Sequence, residues 1–237
     1  MLLRRSWGCD VRIAVFALFY GDHLELHDRL MRGLEGSLKS PDIKLTVWLN
    51  SVSDRCADRI SKGVAQLNGD IAYRGDNVPK YEAMRTMFQP LKATSSTDWV
   101  VWFDDDTVIE KPDWVSVTSN YILANPSVVY LGERWFIHWV AGQWEFIQKA
   151  TWFRGKPPEL IRGKPGINFA QGAYWWLKSS AMCDLDWPDP RLSHNGGDTL
   201  LGEAIRQQGW PFSMFSYGVK PNKAPRRGMS QRPAGSK

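Results

Sequence analysis

A short apolar segment that stops on three consecutive aspartates constrains the fold of this chain more than any other feature. Residues 98–109 read D-W-V-V-W-F-D-D-D-T-V-I. The apolar residues predict a buried β-strand. In an open α/β sheet, ligands bind beyond the carboxyl ends of the strands, so acidic side chains at such an end face a crevice. Three adjacent carboxylates repel one another unless a cation lies among them, and oxygen ligands suit Mg²⁺ or Mn²⁺ ions that also bind substrate phosphates.

The composition favours a folded protein without disulfides. A chain of 237 residues with 43% hydrophobic residues can bury a full core, which excludes disorder of the whole chain. The three cysteines are widely spaced and form no C-x-x-C pattern, so we expect neither a disulfide framework nor a zinc site, and we expect a cytoplasmic location.

The apolar run from Ile13 to Tyr20 superficially resembles a signal sequence. The run from Ile13 to Tyr20 is too short to span a membrane, and no small-residue cleavage site follows it, so we interpret this run as the first buried strand.

The net charge of +5 is concentrated at the C-terminal end of the chain. Residues 219–237 contain no acidic residue, so the rest of the chain is close to neutral. Proline and glycine also recur there, and we predict a basic, flexible tail that is available to a polyanion or an anionic membrane. Its basic residues are Lys220, Lys223, Arg226, Arg227, Arg232 and Lys237.

Apolar runs alternate with segments of helical period as far as about Leu131, which is typical of a layered βαβ fold. We therefore predict an α/β protein. Predicted strands cover residues 12–19, 43–49, 71–73, 99–103, 128–131, 173–178 and 211–215. Predicted helices begin with Asp22 as N-cap, near Ser53, at Pro79, at Pro112 and after the polar turn 193–198, and Gly209 ends the last of them.

Residues 134–169 contain many large aromatic side chains and two copies of Arg-Gly-Lys-Pro, at 154–157 and 162–165. One interpretation is core packing, because large aromatic residues are usually buried. The other is a platform that stacks sugar rings or bases, with the basic loop guiding an anionic acceptor. The sequence leaves both open. The aromatic residues before the first basic copy are Trp135, Phe136, Trp139, Trp144, Phe146, Trp152 and Phe153.

The aspartate run also has two interpretations. It can hold a metal ion, or it can be an ordinary acidic turn in which Asp106 caps a helix. No P-loop pattern occurs, and no Gly-x-Gly-x-x-Gly follows the first strand. These absences argue against nucleotide hydrolysis of the P-loop type and against a dinucleotide cofactor.

Several segments together resemble the nucleotide-sugar half of GT-A fold glycosyltransferases, especially those of family 2. They are the first strand, the Asn50-Ser51 turn, Arg74-Gly75-Asp76-Asn77 before a helix, and Trp102-Phe103-Asp104-Asp105-Asp106 before Pro112-Asp113. The resemblance covers residues 12–123 well and residues 171–210 more loosely. It implies a single domain with a Rossmann-like GT-A fold and a mixed, mostly parallel sheet flanked by helices. Residues 1–131 would form the nucleotide-sugar-binding half, residues 132–218 the acceptor-binding and catalytic half, and residues 219–237 the basic tail.

The resemblance also implies roles for the three aspartates. Asp106 would coordinate a divalent ion, Mn²⁺ or Mg²⁺, that bridges the donor diphosphate. Asp104 would contact the ribose or the metal, and Asp105 would contact the donor sugar. A metal at this position would neutralise the charge that develops on the departing nucleoside diphosphate.

Four further residues are implied to serve the donor. Asn50 lies where the family often has an aspartate that faces uracil, and its amide can still pair with a base edge. Lys80 or Arg85, early in the next helix, could approach the diphosphate, although a solvated helical face is the alternative for each. We take Arg85 as the donor-binding residue. Gly172 belongs to Gln171-Gly172-Ala173, which resembles the strand beside the donor sugar.

Asp198 matches the family's general base, a carboxylate at the start of a late helix. Such a base implies inversion by single displacement, whereas the competing role for Asp198 is an N-cap. Some members use a late histidine as a further metal ligand. His194 lies farther from the C-terminus than theirs, so a third protein ligand is unassigned.

We therefore expect a metal-dependent glycosyltransferase that uses a nucleotide sugar, with a UDP-sugar as the favoured donor. The acceptor is either a saccharide or glycoconjugate, with the tail held on anionic membrane, or a hydroxylated base flipped out of DNA. A sugar-nucleotide nucleotidyltransferase is the rival enzyme, but it would need a glycine- and arginine-rich loop where Phe19-Tyr20-Gly21-Asp22 lie. A carbohydrate- or nucleic-acid-binding module without turnover is the non-enzymatic rival.

Overall fold

Four parallel strands and their crossover helices build the first half of the fold. The structure is a computed structural model, and it describes residues 11–93, 97–138, 143–193 and 196–222. The strands are β1 (Ile13–Tyr20), β2 (Ile43–Asn50), β3 (Asp70–Gly75) and β4 (Trp99–Asp104). The helices are α1 (Leu24–Ser37), α2 (Asp54–Gln66) and α3 (Lys80–Ala93). The strands lie in the order β3-β2-β1-β4 and all their pairings are parallel, as expected for βαβ units.

In the second half of the fold, antiparallel strands extend the sheet. Its strands are β5 (Thr107–Ile109), β6 (Tyr130–His138), β7 (Glu159–Ile161), β8 (Lys164–Lys178), β9 (Phe212–Ser213) and β10 (Val219–Pro221). Its helices are α4 (Trp114–Ala124), α5 (Gln143–Gln148), α6 (Ser179–Asp184) and α7 (Gly197–Gln208). β8 runs antiparallel to β4, and β6 antiparallel to β8, so the sheet continues as β4-β8-β6-β9. β7 pairs with β8, while β5 and β10 form a separate two-stranded sheet.

Each face of the large sheet has its own hydrophobic core. On β1, Phe16 and Leu18 contribute to the core that α3 and α7 cover, whereas Val15 and Phe19 contribute to the core that α1, α2 and α4 cover. A strand buried on both faces needs apolar residues at successive positions, which explains its continuous apolar sequence. The predicted mixed sheet flanked by helices is confirmed.

Two local predictions at the start of the chain and at its end differ from the structure. α1 begins at Leu24 with His23 as N-cap. Asp22 instead accepts hydrogen bonds from Ser53 Oγ at 2.6 Å and Cys56 Sγ at 3.3 Å, and it thereby joins the start of α1 to the start of α2. The tail was predicted to begin at residue 219, but residues 219–221 form β10, and residues 223–237 lie outside the described residues.

β8 is much longer than the predicted strand 173–178, because it begins at Lys164. The second Arg-Gly-Lys-Pro copy forms the β7–β8 hairpin turn, in which Arg162 and Gly163 have φ values of 52° and 77°. The first copy contacts the end of α7, where the backbone N–H groups of Arg154 and Lys156 donate to Gln207 Oε1 at 3.0 and 3.1 Å.

Within the described part of the chain, no helix is both long and apolar enough to cross a membrane.

Two helical glycines allow a matched test of this packing. A Cβ at Gly202 in α7 would lie 2.6 Å from Phe169 Cβ and would also collide with the Asn168 carbonyl oxygen, whereas a Cβ at Gly36 in α1 would meet nothing within 4 Å. We expect Gly202→Ala to lower the free energy of unfolding by about 1–3 kcal/mol through overpacking. Gly36→Ala should raise it by about 0.4–1 kcal/mol, because alanine has less conformational freedom in the unfolded chain. Urea denaturation of both variants measures the two effects, and equal stabilities would contradict the close contact between α7 and β8.

Candidate functional site

The acidic turn lies at the carboxyl end of β4, in the centre of the large sheet. Asp104 is the last residue of β4 and pairs with Leu18 of β1, and the chain then turns through Asp105 and Asp106 into β5. Asp104 and Asp106 are largely buried, with 9% and 8% of their surfaces exposed. Two carboxylates therefore lie where a parallel sheet binds its ligands.

Asp105 is directed toward β1 and α1. Its Oδ2 atom accepts a hydrogen bond from the Tyr20 backbone N–H at 2.9 Å and lies 3.2 Å from Nε2 of His27, a fully buried residue. His27 Nε2 also lies 3.2 Å from the Tyr20 carbonyl oxygen. These contacts fix the turn to the end of β1, and they engage the carboxylate that the resemblance assigned to the donor sugar.

Lys80, the first residue of α3, extends into the same site. Its Nζ atom donates to Asp104 Oδ2 at 2.7 Å and to the Gly172 carbonyl oxygen at 3.4 Å. The other oxygen of Asp104 accepts a hydrogen bond from Trp102 Nε1 at 2.8 Å. Asp104 is therefore held by a cation and an indole N–H, and both donors compensate for the burial of its carboxylate.

Gly172 separates the acidic turn from Asp198. A Cβ at Gly172 would lie only 2.9 Å from Asp198 Oδ2, so the absence of a side chain makes room for this carboxylate. β8 pairs with β4 only from Tyr174 onward and with the outer half of β6 only up to Ala170. Near Gly172, the β8 backbone thus departs from its regular pairing with β4 and β6, and it does so beside the acidic side chains.

Asp198 is the second residue of α7, and Gly196, with a φ of 83°, is its N-cap. Burial raises the pKa of Asp198, while the Lys80 charge and a hydrogen bond from the Thr199 backbone N–H oppose this increase. Tyr81 of α3 fixes the position of α7, because its backbone N–H donates to the Ser193 carbonyl oxygen at 3.0 Å. A Cβ at Gly197 would collide with the Tyr81 ring, so the two helix starts are in close contact.

Asn50 lies at the end of β2 and is almost fully buried. Its Nδ2 atom donates to Asn77 Oδ1 and to the Val78 carbonyl oxygen, both at 2.9 Å, and its Oδ1 accepts from the Val78 backbone N–H at 2.7 Å. The side chain therefore closes the loop between β3 and α3. A base edge would have to replace one of these contacts to pair with it.

Arg85 acts on an aspartate outside the acidic turn, Asp189. Burial raises the pKa of Asp189, but hydrogen bonds and charge from Arg191, together with the Arg85 charge, outweigh that effect and lower it. Arg85 thus acts on a cluster around Asp189, whereas Lys80 reaches Asp104. His194 lies outside the described residues.

The described side chains fit a divalent ion that is shared with a substrate. Within residues 11–93, 97–138, 143–193 and 196–222, no group of three or more His, Cys, Asp or Glu side chains could hold a metal ion by itself. Asp104 and Asp106 offer two carboxylates, and Mg²⁺ is commonly bound through one or two carboxylates plus substrate phosphates. This arrangement suits a metal that enters with a phosphate compound.

Solved structures with the same architecture include the following three. A mannosyltransferase of Pyrobaculum calidifontis, in complex with GDP-Man and Mn²⁺, has a TM-score of 0.61 and 14% identity over 95% of this chain and 62% of its own. S. aureus TarS 1–349 has a TM-score of 0.56 and 15% identity over 87% of this chain and 58% of its own. Glucosyl-3-phosphoglycerate synthase of Mycobacterium tuberculosis, in complex with Mn²⁺, UDP and phosphoglyceric acid, has a TM-score of 0.55 and 15% identity over 94% of this chain and 77% of its own.

The chain has a GT-A fold. It spans about three-fifths of the length of the mannosyltransferase and of the TarS fragment. No protein-family model matches the sequence. No curated protein matches it either.

Among the described residues of the GT-A domain, open hollows of about 520 Å³ include two that lie outside the acidic site. One lies between α1 and the segment that follows β5. The other lies along α7, where Gly202, Arg206 and Trp210 line it together with Arg134 and Asn168 of the neighbouring strands.

The aromatic residues of segment 134–169 lie partly in the core and partly at the surface. Trp152 is buried in the core, and Trp144, Phe146 and Phe153 pack against that core. Trp135 is 47% exposed, whereas Trp139 lies outside the described residues.

Several residues of this GT-A site escaped sequence reasoning. Tyr81 belongs to an apolar helical stripe, and His27 is a polar residue on the buried face of α1, so neither gives a signal of its own. Thr107 was also missed, although its Oγ1 donates to the Ala173 carbonyl oxygen at 2.7 Å and ties the acidic turn to β8.

The contacts of Asp105 predict a structural role that can be measured. Asp105→Ala would leave the buried Tyr20 N–H and His27 ring without this acceptor, and we expect the free energy of unfolding to fall by about 1–3 kcal/mol. Asp105→Asn keeps an acceptor oxygen of the same shape and should stay close to wild-type stability. Chemical denaturation of the two variants distinguishes them, and a stable alanine variant would contradict the anchoring of the turn.

Proposed function

We propose that this chain is a metal-dependent glycosyltransferase that moves a sugar from a nucleotide sugar to an acceptor hydroxyl. One observation carries the proposal: in a GT-A fold, the Asp104 and Asp198 carboxylates both lie close to Gly172 at the carboxyl end of β4, and Asp106 follows in the same acidic turn. The charge of Asp104 acts on Asp198 across this space and opposes its ionisation. The site thus combines a place for a metal-bound diphosphate with a separate carboxylate that can accept a proton.

On the donor side, Asp104 and Asp106 would hold Mn²⁺ or Mg²⁺. When bound, the ion supplies positive charge for the departing diphosphate. Lys80 adds a second positive charge 2.7 Å from Asp104, where it can also contact phosphate oxygens. We retain a UDP-sugar as the favoured donor, with Asn50, Arg85, Asp105 and Gly172 as the further donor-binding residues inferred from sequence.

Removal of the metal carboxylate tests the donor half of the proposal. Asp106→Ala should reduce UDP release from UDP-sugars in the presence of Mn²⁺ by at least about 100-fold, because charge stabilisation of the leaving group is lost. Excess chelator should have the same effect on the wild-type protein, and restored Mn²⁺ should reverse it. Retained release in the variant or in chelator would rule out the metal assignment.

On the acceptor side, Asp198 would act as the general base. As the bond from the anomeric carbon to the diphosphate oxygen breaks, the acceptor oxygen forms a bond to the opposite face of that carbon. Asp198 takes the proton that the acceptor hydroxyl loses, and the diphosphate leaves with the electron pair of the broken bond. This single displacement inverts the anomeric configuration. The N-cap alternative loses support because Gly196 is the N-cap of α7.

The raised pKa of Asp198 gives the reaction a predicted pH profile. A general base must be ionised, so kcat/KM should fall as the pH decreases through the pKa of Asp198, which burial raises above its ordinary value. Asp198→Asn keeps the shape of the side chain, and it should reduce kcat by about 10²- to 10⁴-fold and remove this acid limb. Steady-state kinetics from pH 4 upward would measure both effects. An asparagine variant with wild-type kcat and an unchanged profile would exclude Asp198 as the base.

The hollow along α7 favours a saccharide or glycoconjugate as the acceptor. Gly202 follows Asp198 by four residues on one helix face, or about 6 Å along the axis. The hollow of about 520 Å³ combines aromatic residues, Trp210 and Phe212, with the polar side chains of Arg134 and Asn168. Such a lining suits stacking against sugar rings and hydrogen bonding to hydroxyl groups.

A hydroxylated base in DNA is the alternative acceptor, because exposed Trp135 could stack on a flipped nucleotide and Arg162, which lies 4.8 Å from the centre of the Phe136 ring, could contact its phosphates. Transfer assays with a glycan panel and with DNA that contains hydroxymethylated bases distinguish the two acceptors. Donor binding without transfer or hydrolysis under any metal would instead support a binding module.

A further inference from the structure

Lys80 engages one of the two oxygen atoms of Asp104, a carboxylate that we propose as a metal ligand. Its Nζ atom lies 2.7 Å from Asp104 Oδ2, while Trp102 Nε1 donates to Oδ1 at 2.8 Å. The side chains of Lys80 and Asp104 are 21% and 12% exposed, so solvent screens their ion pair only in part. A divalent ion that approaches Asp104 therefore meets a carboxylate that is already paired with a cation.

The position of Lys80 on its helix favours an exchange of partners. Lys80 is the first residue of α3, and the helix macrodipole disfavours a cation at this end, so the contact with Asp104 offsets an electrostatic cost. The ammonium group has three N–H donors, and contacts with Asp104 Oδ2 and the Gly172 carbonyl oxygen, at 2.7 and 3.4 Å, engage two of them. The flexible four-carbon stem lets the group move between neighbouring acceptors.

A divalent ion and the Lys80 ammonium group conflict when both bind Asp104. Two cations that share one carboxylate repel each other at short range. A diphosphate removes this conflict, because its oxygen atoms can accept hydrogen bonds from Lys80 and can also bind the ion. Metal binding should therefore depend on the presence of phosphate, and Lys80 should be the residue that creates this dependence.

We propose that Lys80 is an exchangeable counter-ion, which pairs with Asp104 before the donor binds and transfers to the diphosphate when donor and metal bind. This inference rests on the proposed function and deepens it. Lys80 weakens metal binding in the absence of nucleotide, and it strengthens nucleotide binding. By thermodynamic linkage, the nucleotide and the metal then raise each other's affinity by the same factor.

The test compares lysines at the two ends of α3 in the full-length protein. Lys80→Met keeps most of the apolar stem and removes the ammonium group, whereas Lys80→Arg keeps a positive charge. The control is Lys92→Met, because Lys92 also forms an ion pair, with Asp186, and its side chain is 25% exposed. Lys92 lies about 18 Å farther along the helix axis, so a general loss of one charge affects both methionine variants.

The first measurement is Mn²⁺ binding without nucleotide, followed by the electron paramagnetic resonance signal of free Mn²⁺. A nearby opposite charge lowers the proton affinity of a carboxylate by about tenfold or more, and a metal ion uses the same lone pairs. We therefore expect Lys80→Met to bind Mn²⁺ about tenfold more tightly than wild type. Lys80→Arg and Lys92→Met should stay close to wild type.

The second measurement is UDP binding in excess chelator, by isothermal titration calorimetry, and it should change in the opposite direction. The dissociation constant of UDP should rise about tenfold in Lys80→Met, because the charged contact with phosphate is lost. Uridine, which has no phosphate, should bind equally to both proteins. A purely structural role for Lys80 would weaken Mn²⁺ and UDP binding together, so opposite signs identify the exchange.

Wild type by itself provides a check that needs no variant to fold. After correction for the Mn²⁺–UDP complex in solution, its Mn²⁺ affinity should rise at least about tenfold with UDP and should not rise with uridine. This factor should be smaller for Lys80→Met, and the same correction applies to both proteins. If UDP does not bind, GDP replaces it in every titration.

The outcomes separate the exchange from the proposed function. If wild type transfers sugar but Lys80→Met binds Mn²⁺ no more tightly than wild type, the exchange is wrong and the proposed function stands. The same conclusion follows if the nucleotide does not tighten Mn²⁺ binding to wild type, or if Lys80→Met binds the nucleotide as wild type does. If wild type neither binds UDP or GDP nor releases them from their sugars with Mn²⁺ or Mg²⁺, the proposed function itself fails.

Discussion

The structure depends on how the buried strand β4 ends. All six of its residues are buried, so the chain must deliver aspartates from a solvent-free core directly to a ligand-binding edge. Buried carboxylates are costly unless hydrogen bonds or charges compensate them. Asp104 is compensated by Lys80 and Trp102, and Asp105 by Tyr20 and His27. These contacts come from four different elements, so the turn can form only when β1, α1, α3 and β4 are all in place.

The change from parallel to antiparallel strands at β4 and β8 brings the two halves of the site together. A purely parallel continuation would place the next strand with its carboxyl end at the same edge. β8 runs the other way and passes that edge at Gly172 on its way to pair with β4. The first turn of α3 then joins both halves, because Lys80 contacts Asp104 and Gly172 while Tyr81 contacts the segment before α7. Asp198 and the carboxylates of the acidic turn are thereby placed on one framework.

Sequence patterns predicted the elements whose periodicity is strong. β1, β2, β4 and the helices α1 to α3 follow from apolar runs and helical stripes, because these elements are buried on one or both faces. β5, β7, β10 and the first half of β8 gave little signal, since they are short or consist of Gly-, Pro- and Asn-containing segments that tertiary pairing holds in place. The choice between Lys80 and Arg85 could not be made from sequence, because five residues of α-helix rotate a side chain by about 500°, which leaves the two about 140° apart. Only the packing of α3 decides which one reaches Asp104.

The sequence by itself determined the layered α/β organisation and the acidic end of the central strand, whereas the candidate roles of Asp104, Asp106 and Asp198 were implied by its resemblance to GT-A glycosyltransferases. Hydrophobic periodicity and residue chemistry are local properties, so a single chain displays them directly. The tertiary structure alone decided that Asp105 and Asn50 are engaged in closing turns, that Gly172 leaves space for Asp198, and that Asn222 binds the Asp106 carbonyl oxygen. Each of these depends on contacts between residues about 20 to 120 positions apart, and such contacts arise only when strands and helices pack together.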